Sequence, residues 1–165
     1  MEKYIRETLQ EGLSGWQVTD CTVTITDCGY RAPGTTAADF RKLTPLVLMA
    51  ALQQAGSKVF EPMHRFSLEL PADTFGAAVP VMGRLRAVPH TQEMRGLSYH
   101  MEGEIPAAAV HELQQLMPTL TRGEGVLECQ FERYQPVIGA IPERPRTDHN
   151  PLDRKEYLLH VLRRV

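Results

Sequence analysis

The order of hydrophobic periods between Phe66 and Phe131 constrains this chain most. Phe66, Leu68 and Leu70 alternate with other residues, the period of a strand with one buried face. Within 73–85, Phe75, Val79 and Met82 recur at helical spacing, and 88–95 is a weaker, largely polar strand pattern. Leu97, Tyr99, Met101 and Ile105 then alternate strongly. Pro106 opens a helix that carries Val110, Leu113, Leu116 and Leu120 on one face. Leu127, Cys129 and Phe131 close the series as a last strand. Strand, helix, strand, strand, helix, strand is the split βαβ order: one four-stranded antiparallel sheet with both helices on one face. A ferredoxin-like domain is therefore expected over 62–137, beginning at the Glu61-Pro62 boundary.

The first 61 residues read differently. Ile5, Leu9 and Leu13 repeat at i+4 and predict a helix over 2–13, stopped at Ser14-Gly15. From Val18 to Cys28, Cys21, Val23 and Ile25 alternate with Thr22, Thr24 and Thr26, which predicts a half-buried strand. Thr36-Ala37-Ala38-Asp39 has the form of a capping box and opens a helix to Ala55, ended by Gly56, with Pro45 expected to kink it or shift its start. The tail is an extended, proline-rich connector over 138–150, then a helix from Asn150-Pro151 that bears Leu152, Leu158, Leu159 and Leu162, with Arg154, Lys155, Arg163 and Arg164 outside. The domain reading is 1–61, 62–137 and 138–165, α+β throughout.

Composition excludes several function classes. A net charge of −2, from 18 basic and 20 acidic residues, gives no global field for nucleic acid, so any such role needs a local patch. No stretch approaches the roughly 20 apolar residues of a membrane span, and the amphipathic start is unlike a signal peptide. Three cysteines (Cys21, Cys28, Cys129), without CxxC spacing, read as reduced thiols of a cytoplasmic protein.

Catalytic chemistry finds no footing. The six histidines lack ligand spacing, so no metal site is expected. Ser67 and Ser98 lie in strand patterns without a nucleophile elbow. No Walker-type loop occurs, and Gly123-Glu124-Gly125 is a turn before a strand. No catalytic residue is assigned. The arm Tyr30-Arg31-Ala32-Pro33-Gly34, between strand and helix, has two readings. It is a long connector with Pro33-Gly34 supplying a turn, or a recognition tip in which Tyr30 or Pro33 stacks on a base while Arg31 meets phosphate. The tail from Ile141 carries six basic and four acidic residues. It is either a solvated amphipathic helix docked on the body, or a strip that presents Arg144, Arg146, Arg154 and Lys155 to RNA.

Several separated motifs resemble one family in order. "KVFEPMHRFSLELP" (58–71), "GEIPAAAVHELQQLMPTLT" (103–121) and "TRGEGVLECQFERYQPV" (121–137) resemble the junction and last domain of elongation factor G-type translational GTPases. "GLSGWQVTDCTVTI" and "APGTTAADFRKLTPLVLMAALQQAGSKVFEP" resemble the fourth domain of the tetracycline-resistance ribosomal protection proteins of that superfamily. In that group a proline marks the arm tip and another, matched by Pro45, follows in the helix. The resemblance implies an incomplete ribosomal-protein-S5-like βα domain, then the ferredoxin-like fifth domain and a C-terminal helix. It implies binding to the bacterial ribosome, with the arm at the small-subunit decoding centre against the rRNA of the tetracycline pocket. The last domain would sit near the large-subunit GTPase-associated region. Carried over, Tyr30, Ala32, Pro33 and Gly34 would be the drug-displacing tip. The family more often has Ser before that proline and Val after it, and an uncharged residue where Arg31 stands. GTP and Mg would be held by a domain outside this chain, which is then a non-enzymatic piece of a larger GTPase. An exposed sheet edge in the first domain would invite a homodimer. The alternatives are an elongation factor G-like translocation factor with no drug-release role, and a stand-alone small-molecule-binding ferredoxin-like domain.

Overall fold

A computed structural model describes residues 1–162, and Arg163 and Arg164 of the expected last helix lie outside the described residues. The chain divides into two compact units, Phe60–Val137 and a second made of Met1–Val59 with Ile138 onward.

In the unit Phe60–Val137 the elements run β1 (Phe60–Pro71), α3 (Phe75–Arg84), β2 (Val88–Arg95), β3 (Ser98–Pro106), α4 (Ala107–Leu120) and β4 (Val126–Pro136). The sheet order is β2-β3-β1-β4 with every pair antiparallel, the ferredoxin-like arrangement read from the periodicities. Alternation in the central strand decides the core. Phe66, Leu68 and Leu70 point to the helical side and are fully buried, and they pack in one core with Met101 and Ile105 of β3, Ala78 and Met82 of α3, and Val110, Leu113 and Met117 of α4. Gly103 is paired with Phe66, and a Cβ there would lie 2.2 Å from the Val88 carbonyl oxygen and 2.9 Å from the Phe66 ring. Only glycine lets the ring and the edge strand β2 approach this closely.

Three details depart from the expectation. Val79 is exposed, because α3 turns Ala78 and Met82 inward instead. Leu97 is 88% exposed, because the β2–β3 hairpin reverses at Gly96 and places it at the tip. On α4, Met117 takes the buried position and Leu116 is only half-buried. The open face of the sheet is polar, with Arg133 on Glu104 at 2.6 Å and Arg65 on Glu132 at 3.7 Å.

The other unit holds α1 (Glu2–Thr8), α2 (Ala37–Ala55) and α5 (Arg154–Leu162). Leu48, Met49 and Leu52 of α2 pack with Ile5, Leu9, Leu13 and Val18. The helix expected over 2–13 stops at Thr8, because the chain reverses on itself: Val18 N–H donates to the Leu9 carbonyl at 2.7 Å and Gly12 N–H to that of Trp16 at 2.7 Å. Helix α2 spans the expected residues, Ala37–Ala55, and its start is not shifted by Pro45. Thr36 and Asp39 form the capping box, Gly56 ends the helix at φ +75°, and the helix continues through Pro45. The strand expected over Val18–Cys28 is not a strand. Period two states which side chains share a face, but a strand exists only with a neighbour to bond, and among the described residues none lies beside it. The last helix begins at Arg154 instead of Pro151. Asn150 Oδ1 accepts the Leu152 N–H at 3.0 Å to form a turn, and Asp153 Oδ1 then caps the helix through the Glu156 N–H at 3.0 Å. Its anchor is Tyr157, buried, with its hydroxyl donating to the Lys42 carbonyl of α2 at 3.1 Å.

Candidate functional site

The arm takes its shape from the start of α2. Thr36 N–H and Oγ1 both donate to the Asp39 carboxylate, at 2.8 and 2.9 Å, which fixes where α2 begins. Those two hydrogen bonds hold the Asp39 carboxyl below its ordinary value. One step earlier, Thr35 N–H donates to the Arg31 carbonyl at 2.8 Å, and Arg31 N–H donates back to Thr35 Oγ1 at 3.0 Å. These reciprocal bonds close Ala32-Pro33-Gly34 into a turn, with a cis Ala32–Pro33 peptide, at the head of the helix. The tip is presented outward: Tyr30 is 70% exposed, and Arg31, Ala32, Pro33 and Gly34 are exposed. The Arg31 guanidinium has no ion pair among the described residues, nor does that of Arg41 on α2. Arg41 escaped the sequence reading. The signal was there, since no acidic residue stands three or four positions to either side of it.

The four tail cations do not form one strip. Arg146 is committed inside the chain and cannot face RNA as expected. Its side chain is 13% exposed, and its guanidinium donates to the Glu11 and Gly12 carbonyls at 2.7 and 3.0 Å and to Asp148 at 3.0 Å. The charge of Arg146 therefore answers the C-terminal carbonyls beyond α1 and two carboxylates. Arg144 is partly engaged as well: its N–H donates to the Ser14 carbonyl at 3.0 Å, and its guanidinium lies 5.9 Å from the Trp16 ring centroid. Arg154 and Lys155 remain exposed in the first turn of α5, the end of a helix where cations are least favoured.

Around Arg146, residues 142–147 are strapped to 11–16. Trp16 Nε1 donates to the Pro142 carbonyl at 2.7 Å, and Thr147 N–H donates to the Glu11 carboxylate at 3.1 Å. The Thr147 hydroxyl also donates to that carboxylate, and with its N–H and Arg146 it holds the Glu11 carboxyl below its ordinary value. Gly15, at φ +77°, has the Arg144 carbonyl oxygen where a Cβ would stand. Among the described residues no group of three His, Cys, Asp or Glu is placed to hold a metal, and no helix is long and apolar enough to cross a membrane.

An exposed, helix-capped arm in one unit and a ferredoxin-like sheet in the other agree with two family models. Residues 58–145 match the elongation factor G C-terminus, and 1–56 match elongation factor G domain IV. The chain belongs to the elongation factor G C-terminal family. This family assignment brings in a specific set of relatives. Over 167 residues, covering the whole chain, it is 45% identical to an oxytetracycline resistance protein of Streptomyces rimosus. It is 33% identical, again over its whole length, to the tetracycline resistance protein TetP of Clostridium perfringens, and 41% identical over 76% of its length to TetM of Streptomyces lividans. The chain spans about a quarter of the length of these relatives: 25% of the first, 26% of the second and 20% of the third. A crystal structure from Thermus thermophilus superposes with a TM-score of 0.66 over 82% of this chain and 21% of its own, at 23% identity, a likeness of fold.

Proposed function

We propose that this chain is the ribosome-binding C-terminal module of a cytoplasmic translational GTPase that protects the bacterial ribosome from tetracycline. The observation that carries the reading is the exposed Tyr30–Gly34 tip in a chain alignable from end to end with an oxytetracycline resistance protein. Its mechanism is recognition. Tyr30 and Pro33 offer flat apolar groups to unstacked bases of the decoding centre, worth about 1–3 kcal/mol per stacked aromatic. Arg31, joined by Arg41, offers unpaired charge to phosphate. The sheet unit docks near the large-subunit GTPase-associated region, with Arg154 and Lys155 as accessory rRNA contacts. GTP and Mg belong to a domain outside this chain.

A second reading has its own observation. Arg31-Ala32-Pro33-Gly34 keeps the tip proline but changes its neighbours from the family's more frequent pattern. That favours an elongation factor G-like translocation role that ignores the drug. The two separate on tetracycline-loaded ribosomes. Under the leading reading, adding the chain releases labelled tetracycline, and a Tyr30→Ala, Pro33→Ala variant releases less. Binding with the drug fully retained would establish the second reading instead.

A further inference from the structure

The shape of the arm tip hangs on one neighbouring residue. Arg31, Ala32, Pro33 and Gly34 are exposed, and a Cβ placed on Gly34 would meet only the Arg31 carbonyl oxygen within 4 Å, at 3.7 Å. Packing contributes little there. Two hydrogen bonds reach Arg31–Gly34 among the described residues, and both run to half-buried Thr35. Its N–H donates to the Arg31 carbonyl at 2.8 Å, and its Oγ1 accepts the Arg31 N–H at 3.0 Å. Each joins residues four apart, so this clamp is complete within the chain and asks nothing of a neighbouring segment.

A threonine beside a helix start ordinarily caps the helix. Here Thr36 does so. Its N–H and Oγ1 donate to the Asp39 carboxylate at 2.8 and 2.9 Å, and its carbonyl accepts the Asp39 N–H at 3.1 Å. The head of α2 is therefore capped by Thr36 and Asp39, and the Thr35 hydroxyl serves the arm instead.

We propose that Thr35 is the positioning residue of the tip: its hydroxyl holds the Arg31 amide so that Tyr30, Arg31 and Pro33 meet decoding-centre RNA as one preset surface. The proposal rests on the reading of the arm as a ribosome-contacting element. A loose loop must be ordered when it binds, and that cost is subtracted from affinity. A loop already closed has lost the freedom beforehand. The main-chain half of the clamp survives any side chain at position 35, and the hydroxyl half does not. Valine removes the acceptor while keeping the β-branched shape, and serine keeps the acceptor.

The test is co-sedimentation of the 165-residue chain with bacterial ribosomes at one salt concentration. Thr35→Val and Thr35→Ser are each compared with the parent, and each is also made in the Tyr30→Ala, Pro33→Ala background. Thr35→Val is expected to raise the Kd about three- to tenfold, the worth of one net hydrogen bond, and Thr35→Ser to stay within about twofold of the parent. In the arm-variant background the Thr35→Val effect disappears, because no tip is left to position. A residue that only stabilised the fold would weaken binding equally in both backgrounds. Amide exchange without ribosomes gives a second reading: the Arg31 N–H exchanges faster in Thr35→Val than in the parent or Thr35→Ser, while the amides of α2 are unchanged. Two failures are distinct. A Kd indifferent to the Tyr30→Ala, Pro33→Ala substitutions overturns the arm reading and the positioning role with it. A Kd that rises with those substitutions but not with Thr35→Val, or rises equally for valine and serine, leaves the arm reading standing and overturns the proposal.

Discussion

Phe66→Ala is expected to remove about 3–5 kcal/mol, the usual range for emptying a buried aromatic site. Domains of this size hold about 5–15 kcal/mol in total, so the loss is a large share of the stability of the sheet unit. The position gives no room to relax. Phe66 is fully buried on a central strand bonded on both sides, to Gly103 and to Cys129. The backbone of β2 already presses on Gly103, so the sheet cannot close over the void. Phe66→Leu, which refills most of the volume, should lose less than half as much. Urea unfolding followed by circular dichroism gives both numbers, and an unchanged midpoint for Phe66→Ala would mean that this core is not the one that folds the unit.

Arg146→Ala is expected to cost about 2–4 kcal/mol in the other unit. Truncation takes donors from the Glu11 and Gly12 carbonyls and from two carboxylates, and unsatisfied groups at a largely buried site account for that range. Arg146→Lys should rescue little, because one ammonium cannot span two carbonyls and a carboxylate in the plane that the guanidinium does. Acid adds an independent check. The Glu11 carboxyl is held down in the folded state, first by the Thr147 hydroxyl. Its contribution is complete above 4.5, its ordinary value, and is lost as pH falls through the lower folded value. Glu11→Gln should therefore be less stable at neutral pH and show a flatter decline on acidification. A melting temperature for Arg146→Ala equal to the parent's would release Arg146 from the strap and return it to the RNA-facing set.

What was legible in the sequence is what neighbouring residues decide among themselves. Phe66, Leu68 and Leu70 announce a buried strand because both helices cover one face, and Thr36-Asp39 and Gly56 mark helix ends that close within a turn. Three misreadings share one cause, a partner far along the chain or none among the described residues. Arg146 looks like a free cation because the acceptor that engages it lies 135 positions away, at Glu11. Helix α1 looks five residues longer than it is because Leu9 and Leu13 keep their inward spacing through a reversal that Arg144 buttresses at Gly15. Thr22 to Thr26 alternates as a strand does, but alternation carries no information about whether a neighbouring strand is there to accept its bonds. The arm tip itself was visible as an oddity of composition. Its outward presentation, and the closure of Arg31 on Thr35, come only with the fold.

The most direct measurement is co-sedimentation of the chain with bacterial ribosomes across a salt series, beside the Tyr30→Ala, Pro33→Ala variant and a tetracycline-loaded sample. The expected result is pelleting that weakens with salt, as phosphate contacts do, that falls in the variant, and that changes when the drug is bound. Pelleting indifferent to the arm substitutions and to tetracycline would contradict an arm at the decoding centre.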